Sequence, residues 1–154
     1  MEFIIFLSKL DIEILELIKK ANYVIEENSA LCLLDKTYVG FHKRKEKEIV
    51  ICTENAKKMG NFKNSNISNN NDNHKTKLYI RRALRHEATH IVQACNNNKI
   101  FNNLKEIKKK INKGKENAIK TSVRISGNLN KEVEAYFMED KPRRVRKAIK
   151  KYCL

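Results

Sequence analysis

The chain has 154 residues, of which 41% are hydrophobic and 33% charged, and its formal net charge at pH 7 is +15. This is the length of one domain that can bury a core without disulfide support. No stretch approaches the length of a transmembrane helix, so no membrane partner is predicted. A single proline and only four glycines predict a mostly helical chain.

The N-terminal segment and the cysteines predict a cytoplasmic protein. The apolar run at residues 3–7 is too short for a signal peptide, and no basic residue precedes it. The cysteines at positions 32, 52, 95 and 153 form no Cys-x-x-Cys pair, so neither a zinc ribbon nor a dithiol redox motif is indicated. We therefore expect reduced, partly buried thiols.

The first third of the chain predicts one helix followed by a hairpin. Apolar residues at helical spacing indicate a helix over residues 11–28. Two extended runs at 38–41 and 48–52 flank a charged turn, which is the pattern of a β-hairpin. The expected class is therefore α+β, mostly helical, with a small antiparallel sheet.

An asparagine-rich segment separates the hairpin from the later helices. Seven of the residues 60–76 are asparagine, which predicts a disordered loop with His74 exposed to solvent, inside a single domain spanning 1–154. Beyond it the apolar spacing predicts helices at 77–96, 102–113, about 130–140, and from Pro142 to about Tyr152. Gly114 is expected to end the second of these helices.

The motif with the clearest chemistry is His86-Glu87-Ala88-Thr89-His90, an H-E-x-x-H sequence within the predicted helix at 77–96. Positions i and i+4 of a helix lie on one face, so the two imidazoles can hold one zinc ion. Glu87 projects beside them, close enough to take a proton from zinc-bound water without being a ligand. The simpler alternative is a pair of surface histidines beside a helix salt bridge.

A catalytic zinc ion needs a third protein ligand. The other histidines, His42 and His74, both lie upstream of the motif, and no metzincin continuation follows it. A carboxylate must serve, and the helix at 130–140 offers Glu132 and Glu134. At 100° per residue Glu132 lies at the edge of the apolar face, whereas Glu134 points toward solvent. We expect Glu132 to be the ligand, with Glu134 as the alternative; two surface glutamates are the simpler interpretation.

The two helices resemble the gluzincin branch of the zincin metallopeptidases, which pairs an H-E-x-x-H helix with a helix carrying Glu-x-x-Ala. The second motif is here Glu132-Val133-Glu134-Ala135. The chain is also similar to small zincin-like proteins of marine cyanobacteria and their viruses. The resemblance implies an active-site helix packed under a short sheet, with Glu132 as third ligand. Related sites often carry Asp or Asn after the alanine to hold a ligand histidine, whereas this chain has Tyr136.

The function implied is a zinc-dependent metallopeptidase acting on a peptide or protein substrate. Zinc-activated water would hydrolyse the peptide bond, with Glu87 as the general base. Tyr136 is a candidate for stabilising the oxyanion that forms on the carbonyl.

Two basic segments suggest a second kind of partner. Residues 105–120 hold seven lysines and two glutamates, residues 141–151 hold seven Lys or Arg and no acid, and their combined net charge is +12. Such a field favours weak binding to polyanions, including nucleic acid. The alternative function is therefore a basic zinc protein associated with nucleic acid, either a SprT-like protease or a non-enzymatic binding module. A solvated basic face is the simpler interpretation.

Overall fold

The structure, a computed structural model, describes residues 1–64 and 73–154. Within these ranges helices predominate and three short strands form one sheet, which confirms the predicted α+β class. The α-helices are α1 Lys9–Lys20, α2 Thr53–Met59, α3 His74–Cys95, α4 Leu104–Lys109, α5 Lys113–Ser126, α6 Leu129–Met138 and α7 Pro142–Tyr152. The strands are β1 Val24–Glu27, β2 Gly40–Lys43 and β3 Glu48–Ile51, and 3-10 helices lie at Glu2–Phe6 and Ala30–Leu33.

Helix α1 starts at a capping box and ends well before the predicted boundary at residue 28. The Ser8 hydroxyl accepts a hydrogen bond from the Asp11 N–H at 3.3 Å, and the Asp11 carboxylate accepts one from the Ser8 N–H at 3.1 Å. Asn22 has a φ of 61°, a left-handed conformation that asparagine tolerates and that ends the helix. Residues 24–27, which were predicted to be helical, therefore form β1.

The sheet has the strand order β1-β3-β2 and is mixed. The antiparallel pair β2–β3, with Phe41 opposite Val50, confirms the predicted hairpin. Strand β1 pairs parallel with β3, with Ile25 opposite Ile49, so the sheet is not wholly antiparallel. Ile49 and Ile51 of the central strand are fully buried in the core that the sheet shares with α3. Strand β2 forms one edge of the sheet.

Helix α3, which carries the H-E-x-x-H motif, is the central helix of the fold. It starts at His74, so the last three residues of the predicted loop are helical, and His74 is exposed as predicted. Residues 65–72 of that predicted loop lie outside the described residues. Left-handed Asn97 and Asn98, with φ of 50° and 66°, follow its C-terminal end. Its apolar face packs against α1, α6, α7 and the sheet through Ile80, Leu84, Ala88 and Ile91.

The predicted basic helix at 102–113 is wrong in its boundaries. Helix α4 ends at Lys109, and a new helix, α5, begins at Lys113. The Asn112 side chain accepts a hydrogen bond from the Lys115 N–H at 2.9 Å and so caps α5. Gly114 therefore lies in the first turn of α5 and ends no helix.

Helix α7 starts at Pro142, as predicted, and buries Val145, Ala148 and Ile149 while its basic residues face outward. It packs against α1 and α3. Among the described residues, no helix combines the length and apolarity needed to cross a bilayer.

The predicted free thiols are contradicted by the structure, because all four cysteines are paired. Cys32 bonds to Cys52 and joins a 3-10 helix to the residue after β3. Cys95 bonds to Cys153 and joins the ends of α3 and α7. The pairs are 20 and 58 residues apart in sequence, so no local spacing motif indicates them.

Candidate metal centre and active site

Two imidazoles of α3 form the base of the candidate centre. His86 and His90 lie one helical turn apart, and their Nε2 atoms are 3.2 Å from each other. Their side chains are 10% and 12% exposed, so the pair lies at the floor of a cleft and not on an open surface. The alternative of two surface histidines does not describe this arrangement.

Glu132 of α6 completes a triangle of donor atoms. Its Oε2 lies 3.2 Å from His86 Nε2, and its Oε1 lies 3.4 Å from His90 Nε2. Donor atoms of the three residues all lie within 4.8 Å of one another. Ligands at about 2.0–2.1 Å from a tetrahedral zinc ion are separated by about 3.3 Å, so these distances fit one shared ion.

The outer nitrogen of each histidine faces an oxygen of a neighbouring side chain. His90 Nδ1 lies 2.8 Å from the amide oxygen of Gln93, and His86 Nδ1 lies 3.6 Å from Glu139 Oε2. Protonated Nδ1 atoms would leave both Nε2 lone pairs facing the centre of the triangle. The prediction from sequence missed Glu139 and Gln93. Glu139 follows Glu132 by seven residues, two helical turns, and that spacing is the signal that could have indicated it.

Glu134 does not point to solvent as predicted. It is 1% exposed, and its carboxylate accepts hydrogen bonds from the backbone N–H groups of Ile100 and Phe101, each at 3.0 Å. It also accepts one from Gln93 Nε2 at 2.8 Å. Glu134 therefore holds the segment after α3 against α6 and lies on a different side of α6 from the donor triangle. Leu129, which the same periodicity of 100° per residue places on the apolar face of this helix, is 47% exposed.

The charges around the triangle favour a cation there. Burial alone would lower the pKa of His86, but hydrogen bonds to Glu132 and Glu139 raise it well above its usual value. Burial would raise the pKa of Glu132, yet hydrogen bonds to His86 and His90 hold it far below its usual value. Glu87 behaves differently, because burial raises its pKa against the attraction of the two histidines. A carboxylate with a raised pKa is a better proton acceptor than an ordinary glutamate.

Glu87 lies under the edge strand. A Cβ added to Gly40 of β2 would come within 2.7 Å of Glu87 Oε1 and 2.9 Å of its Cγ. The absence of a side chain at position 40 therefore gives the Glu87 carboxylate its space beside the two histidines.

Tyr136 lies next to His86, with their ring centroids 4.5 Å apart. Its hydroxyl is 2.8 Å from the Ser122 hydroxyl of α5, and burial raises its pKa. The phenol therefore stays protonated at neutral pH and can donate a hydrogen bond toward the cleft.

His42 of β2 is a third residue that the prediction from sequence did not place at the site. Its ring stacks on that of His90 with centroids 6.0 Å apart, and on that of Tyr23 at 5.7 Å. Burial, together with the charges of His90 and Arg44, lowers its pKa to about 3, so it is neutral at pH 7. Its Nε2 is buried and has no hydrogen-bond partner among residues 1–64 and 73–154.

The backbone of β2 forms the upper rim of the cleft. The Val39 carbonyl accepts a hydrogen bond from the Cys52 N–H at 2.8 Å. Because pairing alternates along an antiparallel ladder, the backbone groups of Gly40 and His42 then point away from β3. The backbone N–H donors and C=O acceptors of Gly40 and His42 thus face outward, directly above Glu87 and His90.

Two cavities, of about 310 and 390 Å³, meet at His86 and Glu87. The first, the His90-side cavity, extends past His90 to Arg44 and Lys131. The second, the Tyr136-side cavity, extends past Tyr136 to Arg82 and Lys115. A chain laid across the donor triangle would therefore have space on both sides.

Comparison with known proteins identifies a family for this fold and site. Neither the curated proteins nor the solved structures gave a match. A family described as a domain of unknown function, DUF8637, matches residues 3–154, which is almost the whole chain and includes every residue of the donor triangle. The chain therefore belongs to the DUF8637 family.

Proposed function

We propose that this protein is a zinc-dependent metallopeptidase of the gluzincin type, with Glu87 as the general base. The observation that carries the proposal is the donor triangle of His86, His90 and Glu132, with spacings that suit one tetrahedral ion and leave a position open. Two imidazoles and one carboxylate are a ligand set found in hydrolytic zinc enzymes.

The roles of the residues follow from their positions in the cleft. Zinc, when bound, supplies Lewis-acid chemistry that makes water more acidic and polarises a carbonyl group. Glu87 accepts the proton of the attacking water and returns it to the leaving amine. Tyr136, whose hydroxyl stays protonated, donates a hydrogen bond to the oxyanion. Gln93 and Glu139 keep the histidine rings in the orientation that presents Nε2.

The edge strand supports a peptide as substrate. The outward backbone groups of Gly40 and His42 can pair with an extended peptide, which would add a strand to the sheet. Such pairing holds the peptide directly over Glu87. It uses hydrogen bonds to the main chain of the peptide, so it does not depend on the peptide's side chains.

Metal content tests the centre. Wild-type protein should contain about one zinc ion per chain by elemental analysis, and His86→Ala and His90→Ala should lose most of it. His74→Gln is the matched control, because His74 is exposed at the start of the same helix. Full zinc content in both alanine variants would disprove this centre.

Hydrolysis tests the role of Glu87. In a screen against a broad peptide mixture, Glu87→Gln should keep its zinc and lose about 10²–10⁴-fold of the rate, the usual contribution of a general base. An unimpaired rate in this variant would exclude the mechanism. A zinc-loaded wild-type protein that cleaves no peptide would favour a binding module.

Polyanion binding is the second candidate, because the two basic segments meet in the fold. Burial lowers the pKa of Lys141, the charges of Lys115, Arg144 and Lys110 lower it further, and the charge of Asp140 opposes them, so cations of both segments lie near one another. Affinity for DNA or RNA should then fall steeply with added salt. If the protein binds neither DNA nor RNA at low salt, the basic segments are only a solvated face. If Glu87→Gln binds nucleic acid as well as the wild-type protein does, the binding is independent of hydrolysis.

The compartment follows from the cysteines. The two disulfides argue against the cytoplasmic location predicted from the sequence, because such bonds rarely persist in a reducing cytosol. We therefore propose an oxidising location. Alkylation of the protein as isolated from its own cells, followed by mass spectrometry, should find no free thiol; four alkylated cysteines would restore the cytoplasmic prediction.

A further inference from the structure

Two cations line the far end of the His90-side cavity. Arg44 follows the end of β2, and Lys131 precedes the donor Glu132 on α6, so the two cations are supplied by different elements. The Arg44 guanidinium donates a hydrogen bond to the Asn98 side chain at 2.7 Å. Within residues 1–64 and 73–154, neither cation forms a salt bridge with a carboxylate.

The Tyr136-side cavity has cations of a different kind. Its Arg82 forms two hydrogen bonds to Asp140, and its Lys115 contacts both Glu139 and Asp140 within 3.1 Å. Those positive charges are already neutralised by the protein. The uncompensated positive charge along the cleft therefore lies at the His90 side alone, within the described residues.

The acidic groups of the His90-side cavity form no salt bridge with Arg44 or Lys131, although the charge of Glu132 acts on its neighbour Lys131. Glu132 contacts the two histidines of the triangle, and Glu87 lies under Gly40 at the other end of the cavity. An anionic group entering from solvent would thus meet two cations, neither of which forms a salt bridge within the described part of the chain.

We infer that Arg44 and Lys131 form a subsite for a carboxylate side chain of the peptide substrate, so that Asp or Glu is preferred on the His90 side of the scissile bond. This inference rests on the proposed peptidase function. A peptide paired with β2 would run past His42 toward Arg44, which brings its side chains to this end of the cavity. Phosphodiester chains are usually bound by longer rows of cations than these two.

Peptide hydroxamates provide a direct binding test, because the hydroxamate group binds zinc and no turnover is needed. We would measure the affinity of zinc-loaded protein for Ala-X-Ala peptides that carry the hydroxamate at either end, with X as Glu, Gln or Lys. On one side of the zinc the Glu peptide should bind about five- to tenfold more tightly than the Gln peptide, as expected for a partly screened ion pair. The Lys peptide should bind more weakly than both.

Charge variants assign the effect to the two cations. Arg44→Gln and Lys131→Gln should each reduce the Glu preference, and the double variant should abolish it. Lys131→Glu places an anion beside Arg44 and should therefore also abolish it. Lys45→Gln is the matched control, since Lys45 is an exposed cation next to Arg44 that does not line the cavity and should keep the preference.

The outcomes separate this inference from the proposed function. The subsite would be overturned if the hydroxamates bind with no preference for Glu on either side of the zinc. It would also be overturned if Lys45→Gln reduces the Glu preference as much as Arg44→Gln and Lys131→Gln do. Either result would leave the zinc centre standing. Failure of every hydroxamate to bind zinc-loaded protein would overturn the proposed function. Competition by a short oligonucleotide that depends on Arg44 and Lys131 would assign the cations to phosphate and overturn the carboxylate subsite.

Discussion

Glu132 and Glu134 lie two residues apart on α6, and both are almost fully buried although they contact different neighbours. Glu132 faces the two histidines, whereas Glu134 accepts hydrogen bonds from Gln93 and from two backbone N–H groups after α3. Their exposure therefore does not distinguish them, and only their contacts separate a candidate ligand from a structural carboxylate.

Substitution by alanine should separate these two roles. Glu132→Ala should lose most of its zinc affinity while staying folded. Glu134→Ala should keep one zinc per folded chain but be destabilised by about 3 kcal/mol or more, because buried donors lose their acceptor. Zinc titration and urea unfolding of both variants measure the two effects. Zinc loss in Glu134→Ala and not in Glu132→Ala would move the ligand to Glu134.

Gly40 is a residue at which one added methyl group should impair the proposed hydrolysis. In Gly40→Ala the new Cβ would lie 2.7 Å from Glu87 Oε1, so the carboxylate must move. A displacement of about 1 Å in a catalytic group can cost about 10²-fold in rate, and we expect a loss of that order with zinc retained. Gly114→Ala is the control, because its nearest neighbour would be 3.4 Å away. Equal rates for Gly40→Ala and wild type would show that Glu87 is not constrained by β2.

At the scale of elements, α3 is held to α1 by a buried ion pair near the motif. Arg85, the residue before His86, donates hydrogen bonds to the two Asp11 carboxylate oxygens at 2.6 and 3.0 Å, and Asp11 is fully buried. The pair fixes the rotation of α3 about its axis, and with it the direction in which the histidines point.

Removing the Asp11 charge should destabilise the fold strongly. Asp11→Asn leaves the Arg85 guanidinium buried without its counter-ion, which costs about 3–5 kcal/mol. Glu13→Gln is the matched control on the same helix, because its ion pair with Arg146 is about one-third exposed and contributes about 0–1 kcal/mol. Urea unfolding measures both values. A similar small effect in the two variants would mean that the Asp11–Arg85 pair does not hold α1 to α3.

In the sheet, also at the scale of elements, the local sequence pattern predicts the hairpin but does not predict strand β1. The hairpin β2–β3 is local, and its two extended runs around a charged turn predicted it correctly. The apolar spacing of the first predicted helix continues through Val24 and Ile25, so the pattern predicts a helix where the structure has strand β1. The left-handed Asn22 and the parallel partner β3 decide the strand instead, and β3 lies more than 20 residues further along the chain.

At the scale of the whole molecule, the two disulfides should contribute to stability according to the loops they close. In the chain-entropy estimate the Cys32–Cys52 bond contributes about 3 kcal/mol and the Cys95–Cys153 bond about 4 kcal/mol. The midpoint temperature of thermal unfolding should therefore fall further in the double variant Cys95→Ser/Cys153→Ser than in the double variant Cys32→Ser/Cys52→Ser. A reducing agent should lower the unfolding midpoint of the wild-type protein. It should not change the midpoint of a variant in which all four cysteines are replaced by serine. No effect of reductant on wild type would mean that the bonds do not form.

The sequence by itself determined the features that depend on local geometry. The spacing of His86 and His90 places both imidazoles on one helical face in any fold that keeps α3 helical, and Glu87 lies beside them for the same reason. The hairpin, the start of α7 at Pro142 and the α+β class also follow from local propensity. The choice of Glu132 over Glu134 rested on the same periodicity, although the burial of Glu134 did not follow from it.

Only the tertiary structure decided which distant residues meet at the centre. Glu139, His42 and Arg44 reach the cleft because α6 and β2 pack on two sides of α3, and periodicity within one element carries no information about its neighbours. Glu134 is buried because the segment after α3 supplies backbone donors to it. The cysteine pairs likewise join residues 20 and 58 positions apart. Long-range contacts form through packing of the whole core, so the local pattern around each residue does not contain them.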